Sequence, residues 1–249
     1  MKKTNPVARK FLVFQHNEWE VPGEYVFKSA AKNNVLLDVC RVWEEKIPSL
    51  SPYDCLMVLG GGPNVDQEDV YPFLTEEKRV IRQSLAEDRP YLGFCLGHQL
   101  LAEAMGAEVG PNHQASIGFI TGFVTHNGYN HPVLANLPCC LPIFKWHRYA
   151  VQEPLPRHLE ILLTSRECQI EAISVVNRPH IVGFQFDNQS AAPNDVAKWL
   201  IHDREWLNSL PDPVNPGKVL SAAEKCSQET GCEFELIFDN YLRTIENMA

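Results

Sequence analysis

The sequence lacks the features that would place the chain in a membrane or on a nucleic acid. No apolar run approaches the roughly 20 residues that a membrane-spanning helix needs. The apolar stretch Phe11–Phe14 is too short for the core of a secretory signal peptide. A formal net charge of −9 disfavours polyanionic partners. We therefore expect a cytoplasmic protein that binds neither nucleic acid nor a membrane.

Metal, cofactor and nucleotide signatures are also missing. The eight cysteines show no C-x-x-C spacing of the kind found in zinc sites and redox motifs. Most of them lie in apolar segments, where reduced and buried cysteines are common. The P-loop pattern G-x-x-x-x-G-K-[ST] does not occur. The sequence therefore predicts neither a metal nor a cofactor.

Short apolar segments alternate with helical patterns in the first part of the chain. The predicted strands here are Lys10–Gln15, Val35–Trp43, Cys55–Leu59 and Tyr91–Phe94. Between two of them, Glu76–Glu87 has apolar residues at helical spacing. This alternation predicts βαβ units, which build an open, mostly parallel twisted α/β sheet with helices on both faces.

The second part of the chain changes character. Its predicted strands follow each other closely, which indicates an antiparallel flank: Ile117–Thr125, Pro142–His147, Glu160–Thr164, Glu171–Val176 and Ile181–Phe186. Two helical stripes come after them. One contains Val196, Trp199, Leu200, Leu207 and Leu210, and the other Phe234, Ile237, Phe238, Tyr241 and Ile245. We predict a single domain over residues 1–249, with an α/β core (1–189) and a helical extension (190–249) packed on it.

A sharp strand-to-helix turn is the most informative local pattern. Cys95 stands between Gly93 and Gly97, after a predicted strand and before a helical stretch. Glycines at these two places let the strand and helix pack closely around a strained turn, as in the nucleophile elbows of hydrolases. A helix N-terminus also lowers the pKa of a thiol placed there. The pattern favours a nucleophilic Cys95 over a buried structural cysteine, which is the other interpretation.

Backbone N–H groups near this turn are candidates for binding the oxygen of an acyl group on Cys95. One is the N–H of Leu96, the residue that follows the nucleophile. A second donor would come from Gly61 or Gly62 in the glycine-rich loop Gly60–Pro63, which follows the third predicted strand. A tight turn alone would also explain these glycines.

Together, Gly93–Gln99, Gly60–Pro63 and Gly183–Phe186 resemble class I glutamine amidotransferases, above all stand-alone members similar to the amidotransferase domain of GMP synthase. The resemblance covers nearly the whole chain. It includes Tyr71-Pro72, Phe144–His147 and Asp203–Leu207. It implies a flavodoxin-like fold and a reaction in which Cys95 attacks the side-chain amide of glutamine, giving a γ-glutamyl thioester and ammonia.

The resemblance also implies a ligand and partners. Gln99 would help to hold the substrate, which would be glutamine or another small amide, and Trp146 and His147 would line the pocket. Ammonia would have to reach a separate synthetase, because this chain shows no second catalytic domain. A synthetase partner and a homo-oligomer are the two assemblies that we consider.

The chain departs from the family at the other two triad positions. The family has a Gly-x-Gln-Phe-His-Pro-Glu stretch, whereas here Asp187 and Gln189 stand at the histidine and glutamate positions and Asn188 at the proline. Arg148 follows His147 where the family usually has glycine, and its side chain is large enough to reshape or fill the pocket. A purely structural role would require a pocket closed by this arginine.

Aspartate is a poor substitute for the missing histidine. Reference pKa values of about 4 and about 8.5 make proton transfer from Cys95 to Asp187 uphill by roughly 6 kcal/mol unless burial changes them. Losing general acid catalysis lowers the reaction rate by about 10²–10⁴-fold. The sequence therefore predicts weak or lost glutamine hydrolysis and a binding or regulatory role. The alternative is an active cysteine amidohydrolase or amidotransferase that acts on glutamine or a γ-glutamyl compound, with His147 or Asp187 as the base.

Overall fold

The first half of the chain forms a parallel sheet, as the alternation of strands and helices predicts. The computed structural model describes residues 8–248. The elements of this half are β1 (Arg9–Gln15), α1 (Glu24–Lys32), β2 (Val35–Arg41), β3 (Cys55–Val58), α2 (Phe73–Ala86), β4 (Tyr91–Phe94) and α3 (Leu96–Ala104). Strand β1 pairs in parallel with β2 and β3, and β3 pairs in parallel with β4.

The second half adds an antiparallel flank. Its elements are β5 (Val109–Val124), α4 (His126–Asn130), β6 (Cys140–Val151), β7 (Leu159–Ser165), β8 (Ala172–Val175) and β9 (Arg178–Phe184). The strand order is β2-β1-β3-β4-β9-β8-β7-β5-β6. Strand β9 returns in parallel beside β4, and the pairs from β9 to β6 are antiparallel. The predicted fold class, an open α/β sheet with an antiparallel flank, is confirmed.

Several strand ends differ from the sequence prediction. Strands β5 and β6 are much longer than the predicted 117–125 and 142–147 because they form one extended antiparallel ribbon, whose outer part is polar and partly exposed. Strand β9 ends at Phe184, two residues earlier than predicted. This early end matters for the site, because it places the next residues in a loop at the carboxyl edge of the sheet.

Helices α5 (Pro193–His202), α6 (Arg204–Ser209) and α7 (Pro216–Glu246) complete the fold. The first predicted stripe divides at Asp203, which follows α5, and α7 begins with Pro216 directly after the capping side chain of Asn215. Helix α7 packs on the rest of the chain through contacts such as the Tyr25 hydroxyl donating to the Ser227 carbonyl at 2.7 Å. The division of the chain at residue 189 stays a prediction. Among residues 8–248, no helix has both the length and the apolar composition needed to cross a membrane.

The two faces of the sheet carry separate apolar cores. In β1, Phe11 and Val13 join the cluster that contains residues of α1 and α7, whereas Leu12 and Phe14 join the cluster that contains residues of α2 and α3. This alternation follows from the opposite directions of successive side chains in a strand. Both faces of the parallel half are therefore buried, which leaves the carboxyl edge of its strands as the place for a ligand site.

Two glycines allow the turn after β4 to form. A Cβ atom on Gly97 would lie 2.2 Å from the Val58 carbonyl oxygen, and one on Gly93 would lie 2.6 Å from the Gly97 carbonyl oxygen. Both obstacles are backbone atoms, which cannot move aside as a flexible side chain can. The start of α3 therefore sits directly against β3 and β4 only because both residues lack side chains.

We expect Gly97→Ala to lower the free energy of unfolding by about 2 kcal/mol or more, because the added methyl group overlaps the backbone of β3. Urea denaturation measures this change. Gly62→Ala is the matched control, because a Cβ atom there meets nothing within 4 Å and should change stability little. Equal stability of the two variants would contradict the packing described for the turn.

Candidate functional site

Cys95 occupies the turn between β4 and α3 in a strained backbone conformation. Its φ of 45° and ψ of −102° lie in a region that non-glycine residues rarely adopt, at a cost of roughly 1–3 kcal/mol. Its N–H donates to the Phe184 carbonyl at 2.8 Å, and the Gly97 N–H donates to the Leu59 carbonyl at 3.1 Å. Neighbouring strands therefore hold the turn from both sides, which is the geometry of a nucleophile elbow.

The glycine loop lies directly beside the elbow. A Cβ atom on Gly60 would be 3.4 Å from the Cβ of Cys95 and 3.2 Å from Oδ1 of Asp187. A Cβ atom on Gly61 would lie only 2.6 Å from the Cβ of His16. Burial raises the pKa of Cys95 well above its ordinary value, and the backbone N–H of Leu96, which favours the thiolate, opposes this shift only in part. The glycine loop therefore lies against the turn that carries the thiol, and the role of Gly61, Gly62 and Leu96 as donors to a bound oxygen stays a prediction.

A buried His–Glu pair holds the glycine loop Gly60–Pro63 in position. His16 Nδ1 donates to the Gly60 carbonyl at 2.7 Å, and its Nε2 lies 2.9 Å from Oε1 of Glu77. Burial lowers the pKa of His16, but the charge and hydrogen bond of Glu77 outweigh burial, so that the net pKa is raised. Both ring nitrogens are occupied by these contacts, so His16 fixes the position of the loop.

Amide and carboxyl groups surround the Cys95 sulfur. Asp187 follows the end of β9, its N–H donates to the Phe144 carbonyl at 2.8 Å, and its Oδ1 accepts from Gln189 Nε2 at 2.9 Å. Gln185 donates to the sulfur itself at 3.6 Å. The structure therefore brings together Cys95, Asp187 and Gln189, the three residues at the predicted triad positions.

Burial raises the pKa values of the two acids in this contact. Desolvation, and then the charge of Asp187, raise the pKa of Cys95 well above its ordinary value. Desolvation raises the pKa of Asp187 to about 7, although hydrogen bonds from Gln189 and Cys95 act in the opposite direction. Burial acts most strongly on the Cys95 pKa, followed by two carboxyl groups, one ammonium group and a backbone N–H.

The ammonium group belongs to Lys145, which forms an ion pair with Glu171 in the protein interior. Both side chains are fully buried. Lys145 lowers the pKa of Cys95 and of Asp187, although for each of them burial acts more strongly in the opposite direction. The pair thus places one positive and one negative charge in the protein interior near Cys95 and Asp187.

His147, a predicted base, lies in the cavity wall as a neutral imidazole. Burial lowers its pKa well below the ordinary value. Nδ1 is 2.8 Å from the Tyr149 carbonyl oxygen, which can only accept, so Nδ1 carries the proton. Nε2 is buried and has no hydrogen-bond partner in the described part of the chain.

A ring nitrogen of His147 also belongs to a group of three side chains, within residues 8–248, whose ligand atoms lie close enough together to hold a metal ion. That nitrogen, Cys168 Sγ and a carboxylate oxygen of Glu171 lie within 4.8 Å of one another. The ammonium of Lys145 already neutralises Glu171. A divalent cation would be placed beside this buried positive charge, which opposes metal binding strongly in a low dielectric.

A cavity of about 540 Å³ opens beside Cys95. Its walls include the predicted residues Gly61, Gly62, Gln99, Trp146, His147 and Arg148. Arg148 is exposed and lines the cavity without closing it. Gln99 donates to the Tyr149 carbonyl at 2.8 Å and to Gln185 Oε1 at 3.2 Å, so it ties α3 to the residues around the sulfur.

Sequence reasoning assigned no role to four side chains that shape this site. Lys145, Gln185 and Asp203 lie inside motifs that carry the family resemblance. The resemblance implies roles only for other positions of the sequence, so these three residues received none. Glu20 lies in the loop after β1 and lines the cavity. Its position after the carboxyl end of a parallel strand could have predicted that Glu20 lies at the site, because ligand sites of such sheets form there.

Comparison with known proteins gives a consistent result. Residues 24–187, well over half of the chain, match the family model described as glutamine amidotransferase class-I. A glutamine amidotransferase-like protein of Salmonella typhimurium, YfeJ, is 29% identical over 175 residues, which cover 68% of this chain and 71% of that one. A glutamine-hydrolysing GMP synthase subunit of Ignicoccus hospitalis is 30% identical over 139 residues, or 56% and 68% of the two chains.

Solved structures share the fold. A glutamine amidotransferase from Thermotoga maritima superposes with a TM-score of 0.82 at 24% identity, covering 96% of this chain and 98% of that one. One from Methylobacillus flagellatus gives a TM-score of 0.83 at 21% identity and 95% of both chains. With the elbow, the glycine loop and the family match in agreement, the chain belongs to the class I glutamine amidotransferase family.

Proposed function

We propose that this protein is a class I amidotransferase-like protein that binds glutamine or another small amide in the Cys95 cavity and hydrolyses glutamine weakly or not at all. Its role would then be binding or regulation. The similarity to glutamine-hydrolysing GMP synthase subunits supports glutamine as a candidate ligand and a synthetase as a candidate partner. A homo-oligomer is the other assembly that we propose to test, and the cytoplasm is the proposed location.

One observation carries this proposal: the thiol of Cys95 faces a carboxyl group where a base is needed. Burial raises the pKa of Asp187 to about 7, which by itself would make it a better base. Burial and the Asp187 charge also raise the pKa of Cys95 well above its ordinary value. Because both values move in the same direction, the transfer of a proton from sulfur to carboxylate stays strongly uphill.

The alternative, an active enzyme with a rearranged base, has support of its own. A group with a pKa of about 7 is suited to general acid–base catalysis at neutral pH. His147 lines the same cavity, and its buried Nε2 carries a lone pair without a hydrogen-bond partner in residues 8–248. Such an enzyme would act on glutamine or on a γ-glutamyl compound.

We expect purified protein to release ammonia from glutamine at least about 10²-fold more slowly than typical enzymes turn over, because general acid–base help is missing. The double variant Asp187→His with Gln189→Glu should raise the rate by about 10²-fold or more, since it supplies an imidazole and its carboxylate partner at the family positions. A coupled glutamate dehydrogenase assay measures the release.

Cys95→Ala in the wild-type and double-variant backgrounds is the control, and it should abolish any rate that depends on the thiol. Wild-type turnover in the range of about 1–10³ s⁻¹ that is lost in Cys95→Ala would contradict the proposed impairment. The alternative enzyme would then be the better description.

The reactivity of Cys95 with iodoacetamide tests the electrostatic basis. Asp187→Asn removes the negative charge that disfavours the thiolate, so the pKa of Cys95 should fall. Its alkylation at pH 7–8 should accelerate by about threefold for each pKa unit, because the larger thiolate fraction outweighs the lower nucleophilicity of the thiolate. Peptide mass spectrometry follows the reaction, with the exposed Cys139 as an internal reference that should not change. Slower alkylation in Asp187→Asn would mean that Asp187 acts as the base of the thiol.

A further inference from the structure

Two carboxyl groups line the cavity beside Cys95, and a neutral amide group in the cavity would not supply a counter-charge to either of them. Glu20 and Asp203 both line it. Glu20 is only 7% exposed and accepts a hydrogen bond from Asn17, and Asp203 accepts from Trp146 Nε1 at 2.7 Å. Neither carboxyl group forms an ion pair with a lysine, arginine or histidine of residues 8–248. Glu20 is buried and Asp203 is partly exposed, so a cation bound between them would supply a counter-charge that the described residues do not provide.

Aromatic side chains occupy the same cavity. Trp19, Trp146 and Trp206 all line it, and the rings of Trp146 and Trp206 lie 6.3 Å apart. The indole face attracts cations more strongly than any other aromatic side chain does. Indole faces combined with carboxylates are the chemistry that recognises an organic ammonium ion, since a strongly hydrated small cation gains little from apolar walls.

The charges around Glu20 reinforce this requirement. Burial, and then the charges of Asp203 and Asp187, raise the pKa of Glu20 to about 8. The one cation among the described lining residues is Arg148, which is exposed and pairs with neither Glu20 nor Asp203. With a pKa of about 8, Glu20 is protonated at neutral pH when no cation is present, and a positively charged ligand at this end of the cavity would favour its ionised form.

We propose that the Cys95 cavity selects an organic ammonium ligand, an aliphatic di- or polyamine or an amide that carries one, with its protonated amine between Glu20, Asp203 and the three indoles. The inference rests on the proposed function of this site and names the class of its ligand. Glutamine offers a single ammonium group next to its own carboxylate. A ligand of net positive charge complements the two carboxyl groups and the indole side chains of the cavity wall better.

Isothermal titration calorimetry with defined probes tests the proposal. We expect 1,5-diaminopentane to bind wild-type protein at least tenfold more tightly than 5-amino-1-pentanol, which has the same chain but one charge fewer, and more tightly than glutamine. Binding should persist in Cys95→Ala, because it requires no reaction at sulfur. This makes the result independent of glutamine hydrolysis, so a failure here and a failure of the proposed function are distinguishable.

Two substitutions locate the binding site. Glu20→Gln and Asp203→Asn keep the shape of the side chain and an acceptor oxygen, and each should weaken binding of the diamine at least tenfold. Glu76→Gln, at an exposed residue of α2 that pairs with Arg79, is the control and should change the affinity less than twofold.

Three outcomes would overturn the proposal. The first is a diamine that binds no more tightly than the amino alcohol, and the second is a diamine affinity that Glu20→Gln and Asp203→Asn leave unchanged. The third is glutamine binding that depends on Glu20 while the diamine does not bind, which would assign these carboxylates to an amino acid's own ammonium group.

Discussion

The contact between a buried thiol and a buried carboxyl group is the interaction on which the chemistry of this site depends. Cys95 and Asp187 are both acids, and removal from water disfavours the charged form of each. An imidazole in the place of Asp187 would respond in the opposite way, because burial favours its neutral, proton-accepting form. A carboxyl group in this position therefore stabilises the protonated form of the thiol, whereas nucleophilic attack requires the thiolate.

The surrounding structure is rigid enough to keep this contact in place. The strained turn at Cys95 is held by hydrogen bonds to neighbouring strands, and the glycine loop is fixed by the His16–Glu77 pair. The Lys145–Glu171 pair fixes charges behind the site. These contacts fix the thiol, the glycine loop and the neighbouring carboxyl group of Asp187 relative to one another.

The local pattern around Cys95 could be predicted because its constraints are steric and lie close together in sequence. Gly93 and Gly97 are required by backbone atoms that a Cβ would overlap, and such requirements leave a spacing that can be recognised. The alternation of strands and helices predicted the parallel half for a similar reason. The lengths of β5 and β6 could not be predicted, because their outer part is partly exposed and its polar residues give no apolar pattern.

The electrostatics of the site were beyond sequence reasoning. The pKa of Asp187 depends on burial by distant strands, and the ion pair of Lys145 with Glu171 joins residues of β6 and of the turn before β8. The carboxyl groups of Glu20 and Asp203 meet at one cavity although they follow β1 and α5. Only the fold brings these charges together, so neither their mutual repulsion nor the ligand that would relieve it could be read from spacing.

The protonation state of Cys95 is the direct test of this account. The S–H stretching band in a Raman difference spectrum between wild type and Cys95→Ser isolates this thiol from the other cysteines. We predict that the band persists at neutral pH and disappears only in strongly alkaline solution. Its absence at neutral pH would show a thiolate already formed beside Asp187, and would contradict the claim that the site holds a nucleophile in its protonated form.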